Sequence, residues 1–179
     1  YSSISTGDSA YDTYQGTSMA TPSTVGSSAL LAQLYAREFS NQWMRASLLK
    51  ALLIHTADDL GTAGPDYKFG WGLINVKAAA DVILAHKAGL ASSPKMFTNS
   101  VSTAVAGQTN TFTWDGTSPI RATLCWTDPA GAAQSASDSR TANLRNNLDL
   151  RITALDGTTV HMPDSMPFVG VWSQASMAL

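Results

Sequence analysis

With a single cysteine, Cys125, in 179 residues, the chain cannot form an internal disulfide, and cysteine usage says nothing of compartment. Charge is sparse as well. Eleven Lys and Arg stand against thirteen Asp and Glu for a net of -2, and no basic cluster exists to neutralise a row of phosphates. Long apolar runs are also missing: Leu48 to Ile54 is broken by Lys50 and falls well short of a bilayer span. Neither nucleic acid nor membrane is therefore expected as a partner. The opening Tyr1-Ser2-Ser3 has no initiator Met, basic start or apolar stretch, so the true N-terminus is expected to lie elsewhere. What remains, 44% hydrophobic residues, is the composition of one globular domain or two small ones.

Texture divides the chain. Residues 16 to 89 read as helical. Val25, Ala29, Leu30, Leu31, Leu34 and Tyr35 fall on a helix face, and Gly26, Ser27 and Ser28 thin the other side, as suits a helix buried inside a domain. Pro22 is tolerated in the first turn or so, where its missing N–H costs least. A second helix is predicted from about Trp43 to Ala57, stopped by Asp58-Asp59-Leu60-Gly61, and a third from about Val76 to Lys87. Gly64-Pro65-Asp66 reads as a turn, and Gly89 to Pro94 as a linker. Beyond it the period becomes two, over Thr109 to Trp114, Ile120 to Thr127 and Leu148 to Ala154, with a hairpin signal at Asp156-Gly157. Residues 92–179 are thus expected to form an antiparallel β-sandwich or jelly-roll, with a polar loop over Pro129 to Asn147 and no clear closing strand at Met177-Ala178-Leu179.

The chemistry sits near the start. Gly16-Thr17-Ser18-Met19-Ala20-Thr21-Pro22 places a serine hydroxyl between a small-residue turn and the first turn of an apolar helix. Unpaired backbone N–H groups and the positive end of the helix dipole gather there, so an oxyanion forming beside Ser18 meets donors that need not reorganise. Gly16 lets a substrate carbonyl approach the backbone. The simpler account is that Ser18 is a helix N-cap, a position serine favours.

This heptad resembles the nucleophile motif of the subtilisin-like serine proteases. The resemblance extends through two following helices to Phe69-Gly70-Trp71-Gly72-Leu73-Ile74-Asn75 and the alanine-rich Val76-Lys77-Ala78-Ala79-Ala80. It implies that residues 1–91 are the C-terminal part of a three-layer α/β catalytic domain, with Ser18 as nucleophile of a secreted endopeptidase that acts on protein or peptide substrates. Cys125-Trp126-Thr127-Asp128-Pro129 and Asn146-Asn147-Leu148-Asp149-Leu150 resemble the C-terminal β-module of some secreted bacterial subtilases. The family's His-Gly-Thr-like and Asp-Ser/Thr-Gly-like segments, and its oxyanion Asn, precede the serine and are absent here. Ser23, after the motif's proline, also departs from the His or apolar residue of many relatives. A lone serine hydroxyl is a poor nucleophile at neutral pH. Loss of triad members leaves roughly 10³ to 10⁴-fold catalysis over water, the value known for subtilisin itself. This chain alone is expected to be silent, to need the missing N-terminal part of its catalytic domain, and to expose apolar faces without it. The alternative is a noncatalytic protease remnant whose β-module binds or stabilises something else.

Other candidates have plainer accounts. His55 with Asp58 and Asp59 has the spacing of a metal site or of a base with its carboxylate, but also marks an ordinary helix end. His86 and His161 have no partners nearby in sequence, and Asp8 and Asp12 lack an Asp-Thr-Gly-like context; Tyr1 to Gln15 reads as a strand and loop. Cys125, within Leu124-Cys125-Trp126, reads as a small buried hydrophobe. Asp128, Asp138, Asn146, Asn147, Asp149 and Asp156 offer oxygen ligands of the kind calcium prefers, so a structural calcium is one reading and turn chemistry the other. No cofactor is required for catalysis of this type. In the family's layout Met19 lies against the leaving-group side of the site. Peroxide should therefore lower the activity of the intact enzyme while Met19→Ala resists it, and equal loss in both would remove the idea.

Overall fold

A computed structural model of the chain describes residues 2–90, 94–102, 107–113, 120–154, 157–161 and 176–178. Three helices carry its core. Two strands, β1 (Ser2–Ser3) and β2 (Tyr11–Asp12), pair antiparallel ahead of α1 (Thr17–Glu38), and α2 (Ala46–Thr56) and α3 (Val76–Ala88) follow. Leu31 of α1, Leu52 of α2 and Ala79 and Ile83 of α3 converge in one buried cluster. Around it pack Leu34, Tyr35, Leu49, Leu53, Val76 and Met96, each partly buried.

Local chemistry fixes the helix ends. Asn75 caps α3 by accepting from the N–H of Ala78 at 2.9 Å, and Gly89 ends it in the left-handed region (φ 71°), its N–H reaching the carbonyls of Ala85 and His86. The predicted span of α3 differs by one residue. Helix α2 is shorter than expected at both ends and is not stopped by Gly61. Ala57 already turns extended (φ -60°, ψ 141°), which lets Asp58 exchange two backbone bonds with Leu73 at 2.8 and 2.9 Å. Gly61 (φ 85°) serves instead inside the loop that follows.

That loop is organised by Asp66. Its carboxylate accepts from the N–H groups of Lys68, Phe69 and Thr62 at 2.8, 2.7 and 3.2 Å, and its backbone pairs with Gly70. The bond from Phe69, with those from Lys68 and Thr62, holds the carboxyl below the usual range against the pull of desolvation.

Downstream, the expected α/β architecture with an antiparallel β-sandwich is overturned. Among the described residues the strands are two or three residues long and form three separate two-stranded sheets, against helices of 22, 11 and 13 residues. Strand β3 (Arg121–Thr123) pairs with β6 (Ser176–Ala178), and β4 (Ile152–Thr153) with β5 (Val160–His161). Nothing closes, curls or stacks. A sandwich needs two inner faces buried against each other, yet every described residue from 94 to 161 is at least partly exposed. The same observation removes the jelly-roll module from the family resemblance, and no three-layer α/β arrangement is present among the described residues.

Single expectations in this half fare unevenly. Residues 109–113 form no strand, and Trp114 lies outside the described residues. A hairpin does form around Gly157 (φ 69°), with Ala154 N–H donating to Thr159 at 3.0 Å; Asp156 lies outside the described residues. The end of the chain, expected to carry no strand, supplies β6, with Leu179 outside the described residues. Of the predicted linker, residues 91–93 are likewise outside them.

The clamp between α2 and α3 is testable. Gly72 has φ 103°, and a Cβ there would collide with the carbonyl of Asp58. Gly72→Ala should therefore cost about 1–3 kcal/mol or more in denaturant unfolding, from backbone strain plus the lost bridge; an unchanged midpoint would disprove the clamp.

Candidate active site

Ser18 is the second residue of α1, and the N-cap is Gly16 (φ 134°, ψ 176°). That excludes the capping account of Ser18. Only glycine adopts such a φ readily, so the heptad's first residue sets the turn that presents the serine. The Gly16 carbonyl accepts from Met19 and Ala20 at 3.0 and 3.1 Å. The N–H groups of Thr17 and Ser18 have no partner among the described residues, as the start of a helix dictates.

Pro22 was placed in the first turn by the sequence, but lies inside the helix. Its missing N–H is the one that would have met the Ser18 carbonyl, so Ser18 is freed on its backbone oxygen as well. The signal was legible: a proline four residues after the serine. Elsewhere in the helix, hydroxyls turn inward on their own backbone. Thr21, Ser23, Thr24 and Ser28 donate to the carbonyls four residues back at 2.8, 3.1, 3.0 and 2.7 Å.

The flank of α1 beside Ser18 is bare. Val25 and Leu30 are 61% and 63% exposed, and Tyr11, Tyr14 and Met19 are exposed too. A shallow depression of about 290 Å³ is lined by Thr17, Ala20, Thr21, Thr24 and Val25.

No histidine or carboxylate reaches Ser18 among the described residues. Asp12 turns back to accept from the N–H of Thr13 at 2.7 Å. His55 shares a 3.1 Å hydrogen bond with Thr123, and His86 accepts from Met96 N–H at 3.2 Å. His161 lies in β5. His55, Asp58 and Asp59 are not brought together. The Asp58 carboxylate accepts from Asn75 Nδ2 at 3.0 and 3.2 Å, and that of Asp59 from Gly64 N–H at 2.7 Å. Cys125 is half-buried, and burial pushes its thiol above the usual value, with Lys50 pulling weakly the other way. It is held as a thiol, not a nucleophile. The Asp66 loop was missed as an organising unit; an Asp two and three residues before the N–H groups that donate to it is its Asx-turn signal.

The oxygen-rich loop uses its ligands on itself. Asp128 accepts from Arg145 N–H at 2.6 Å and from Asn146 through both backbone and side chain, which outweighs the desolvation that would raise its pKa. Among the described residues no group of three or more His, Cys, Asp or Glu is placed to hold a metal; Asp156 lies outside them.

Residues 2–72 match the subtilase family, Peptidase_S8. The chain is 42% identical over 64 residues to the autotransporter lipoprotein NalP of Neisseria meningitidis, covering 36% of this chain and 5% of that protein. It is 41% identical over 69 residues to an extracellular serine protease of Serratia marcescens, covering 38% and 6%. With a serine protease/ABC transporter B family protein, tagA, of Dictyostelium discoideum it shares 36% identity over 115 residues, covering 63% and 6%. No solved structure matches. The chain thus spans about a twentieth of the length of these relatives. The relationship to subtilase-type serine proteases is carried by the segment that holds Ser18, α1 and α2. A secreted location agrees with relatives named as extracellular or autotransporter proteins.

If Asp128 serves its own loop, a chelator should leave the thermal midpoint unchanged and calcium should not raise it. A rise on calcium addition would return these oxygens to metal binding.

Proposed function

We propose that this chain supplies the nucleophile of a secreted serine endopeptidase of the subtilase type. Ser18 Oγ attacks the scissile carbonyl of a protein or peptide substrate, its proton passes to a histidine outside these residues and from there to the amine as the C–N bond breaks, and water later releases the acyl group as a carboxylate. The observation that carries this reading is the seat of Ser18: second in α1, behind a left-handed glycine, with its own N–H free for an oxyanion. The match of residues 2–72 to the subtilase family supports it.

The base and its orienting carboxylate then come from another part of the protein, since His55 and His86 bond Thr123 and Met96 and no histidine bonds Ser18 among the described residues. The bare flank of α1 supports this. Val25 and Leu30 sit beside a helix whose hydroxyls are already bonded to its own backbone, a surface suited to being covered. Residues 1–91 are then one part of the peptidase domain.

A fluorophosphonate probe applied to the longer protein should label it at Ser18, and Ser18→Ala should abolish labelling. This chain alone should label at least about a thousandfold more slowly, because the activating base is absent. No labelling of the longer protein, or labelling that survives Ser18→Ala, would favour the noncatalytic remnant.

A further inference from the structure

Two of the chain's three histidines stand where the downstream segment meets the helices. Met96 packs against the helical core, and its backbone N–H donates to Nδ1 of His86, on α3, at 3.2 Å. A backbone N–H can only donate, so this bond requires Nδ1 to carry no proton. The second junction lies at the end of α2. There His55 Nδ1 bonds Thr123 Oγ1 of β3 at 3.1 Å, while Arg121 of the same strand donates to the His55 carbonyl at 2.9 Å. A proton on His55 would set an imidazolium beside that guanidinium in a half-buried place.

We infer that His86 and His55 form an acid-sensitive clasp: neutral, they hold residues 94–96 and 121–123 against α3 and α2, and protonated they release that segment from the helices.

The surrounding charges favour release. Lys95 faces His86 from the docked segment, and Lys87, on the same helix, lies 5.3 Å over the Phe39 ring. Helix α1 presents that ring to His86 at 5.9 Å, and the charges of its last turn, Arg37 and Glu38, bond each other at 3.0 Å. Beside His55 stands Arg121, whereas Lys50, on α2 itself, acts on Cys125. Lys77 and Asp81 of the neighbouring α3 pair at 2.6 Å, and Asp58 is held by Asn75. Among the described residues no carboxylate pairs with either imidazole.

Burial first, then Lys95 for His86 and Arg121 for His55, moves both below the ordinary value of 6.5. The unfolded or released segment therefore takes up protons before the docked one does. The clasp's contribution is complete above about pH 6.5 and is lost as pH falls from there through the lowered values.

Hydrogen exchange on the full chain at about pH 7.5 and about pH 5, corrected for the intrinsic rate, tests this. Expected is a loss of protection at Met96, whose amide bonds His86, at the lower pH, with the amides of α1, α2 and α3 still protected. The double variant His55→Asn, His86→Asn keeps an acceptor oxygen near each Nδ1 but cannot titrate, and should abolish the difference. Equal protection at both pH values, a difference that survives in the variant, or loss across all three helices in the same step would overturn the clasp. Should the variant not fold, NMR titration of the wild-type chain decides: the Met96 amide must move with the midpoint of the His86 imidazole, and a different midpoint overturns the proposal.

Discussion

The packing of the three helices depends on how closely α3 can approach its neighbours, and that is set by one alanine. Ala79 and Ile83 are fully buried, and onto them converge Leu31 from α1 and Leu52 from α2. The two outer helices reach each other mainly through α3. A larger side chain at 79 would part them, because interiors pack at near-crystalline density and do not stretch to fit. The start of α3 is in turn held by Asn75, which caps the helix with its oxygen and binds Asp58 with its amide. One side chain thus joins the end of α2 to the beginning of α3, and the Asp58–Leu73 bonds repeat the connection in the backbone.

Helix α1 is packed over its second half only. Leu31 is buried, but Val25 in the turns nearer Ser18 stands in solvent, as does Leu30 on the side of the helix away from the core. A surface helix would ordinarily place charge on such a face, and residues 17–36 contain none. Its hydroxyls instead bond to the carbonyls behind them, leaving a smooth, small-residue flank that can accept another element without stranding polar groups. On the proposed reading, the residues that activate Ser18 and those that cover α1 both come from outside the described fold.

How much of this was legible varied with the range of the forces involved. The helices and their order could be read because their signals are local: apolar spacing in α2, an Asn and a Gly at the two ends of α3, a glycine before Ser18. The stop of α2 was misread because Asp58 leaves the helix for a partner fifteen residues away, which no local glycine announces. The downstream half was misread for a related reason. Alternation over 109–113 and 148–154 describes strands that could form, but a strand exists only where another pairs with it. Residues 121–123 became one by pairing with 176–178, across more than fifty residues. Residues 109–113 did not. Seat and chemistry of the candidate site were legible together, since a helix start defines both.

The histidines show how the same residue type divides by environment. In a chain with so few charges, an imidazole beside Ser18 would need a carboxylate to orient it and to stabilise its charged form. His55 and His86 have the opposite surroundings: burial, a lysine or arginine nearby, and, for His86, a backbone donor that needs the neutral ring. Their ring partners are Thr123 and Met96 of the downstream segment, not Ser18. What suits them instead is a structural bond that a proton can break. The downstream segment has no buried residue of its own among those described. Its attachment therefore rests on Met96 against the core and on a few polar contacts at the helices, and a contact made by a neutral histidine is the kind that acidity can remove first.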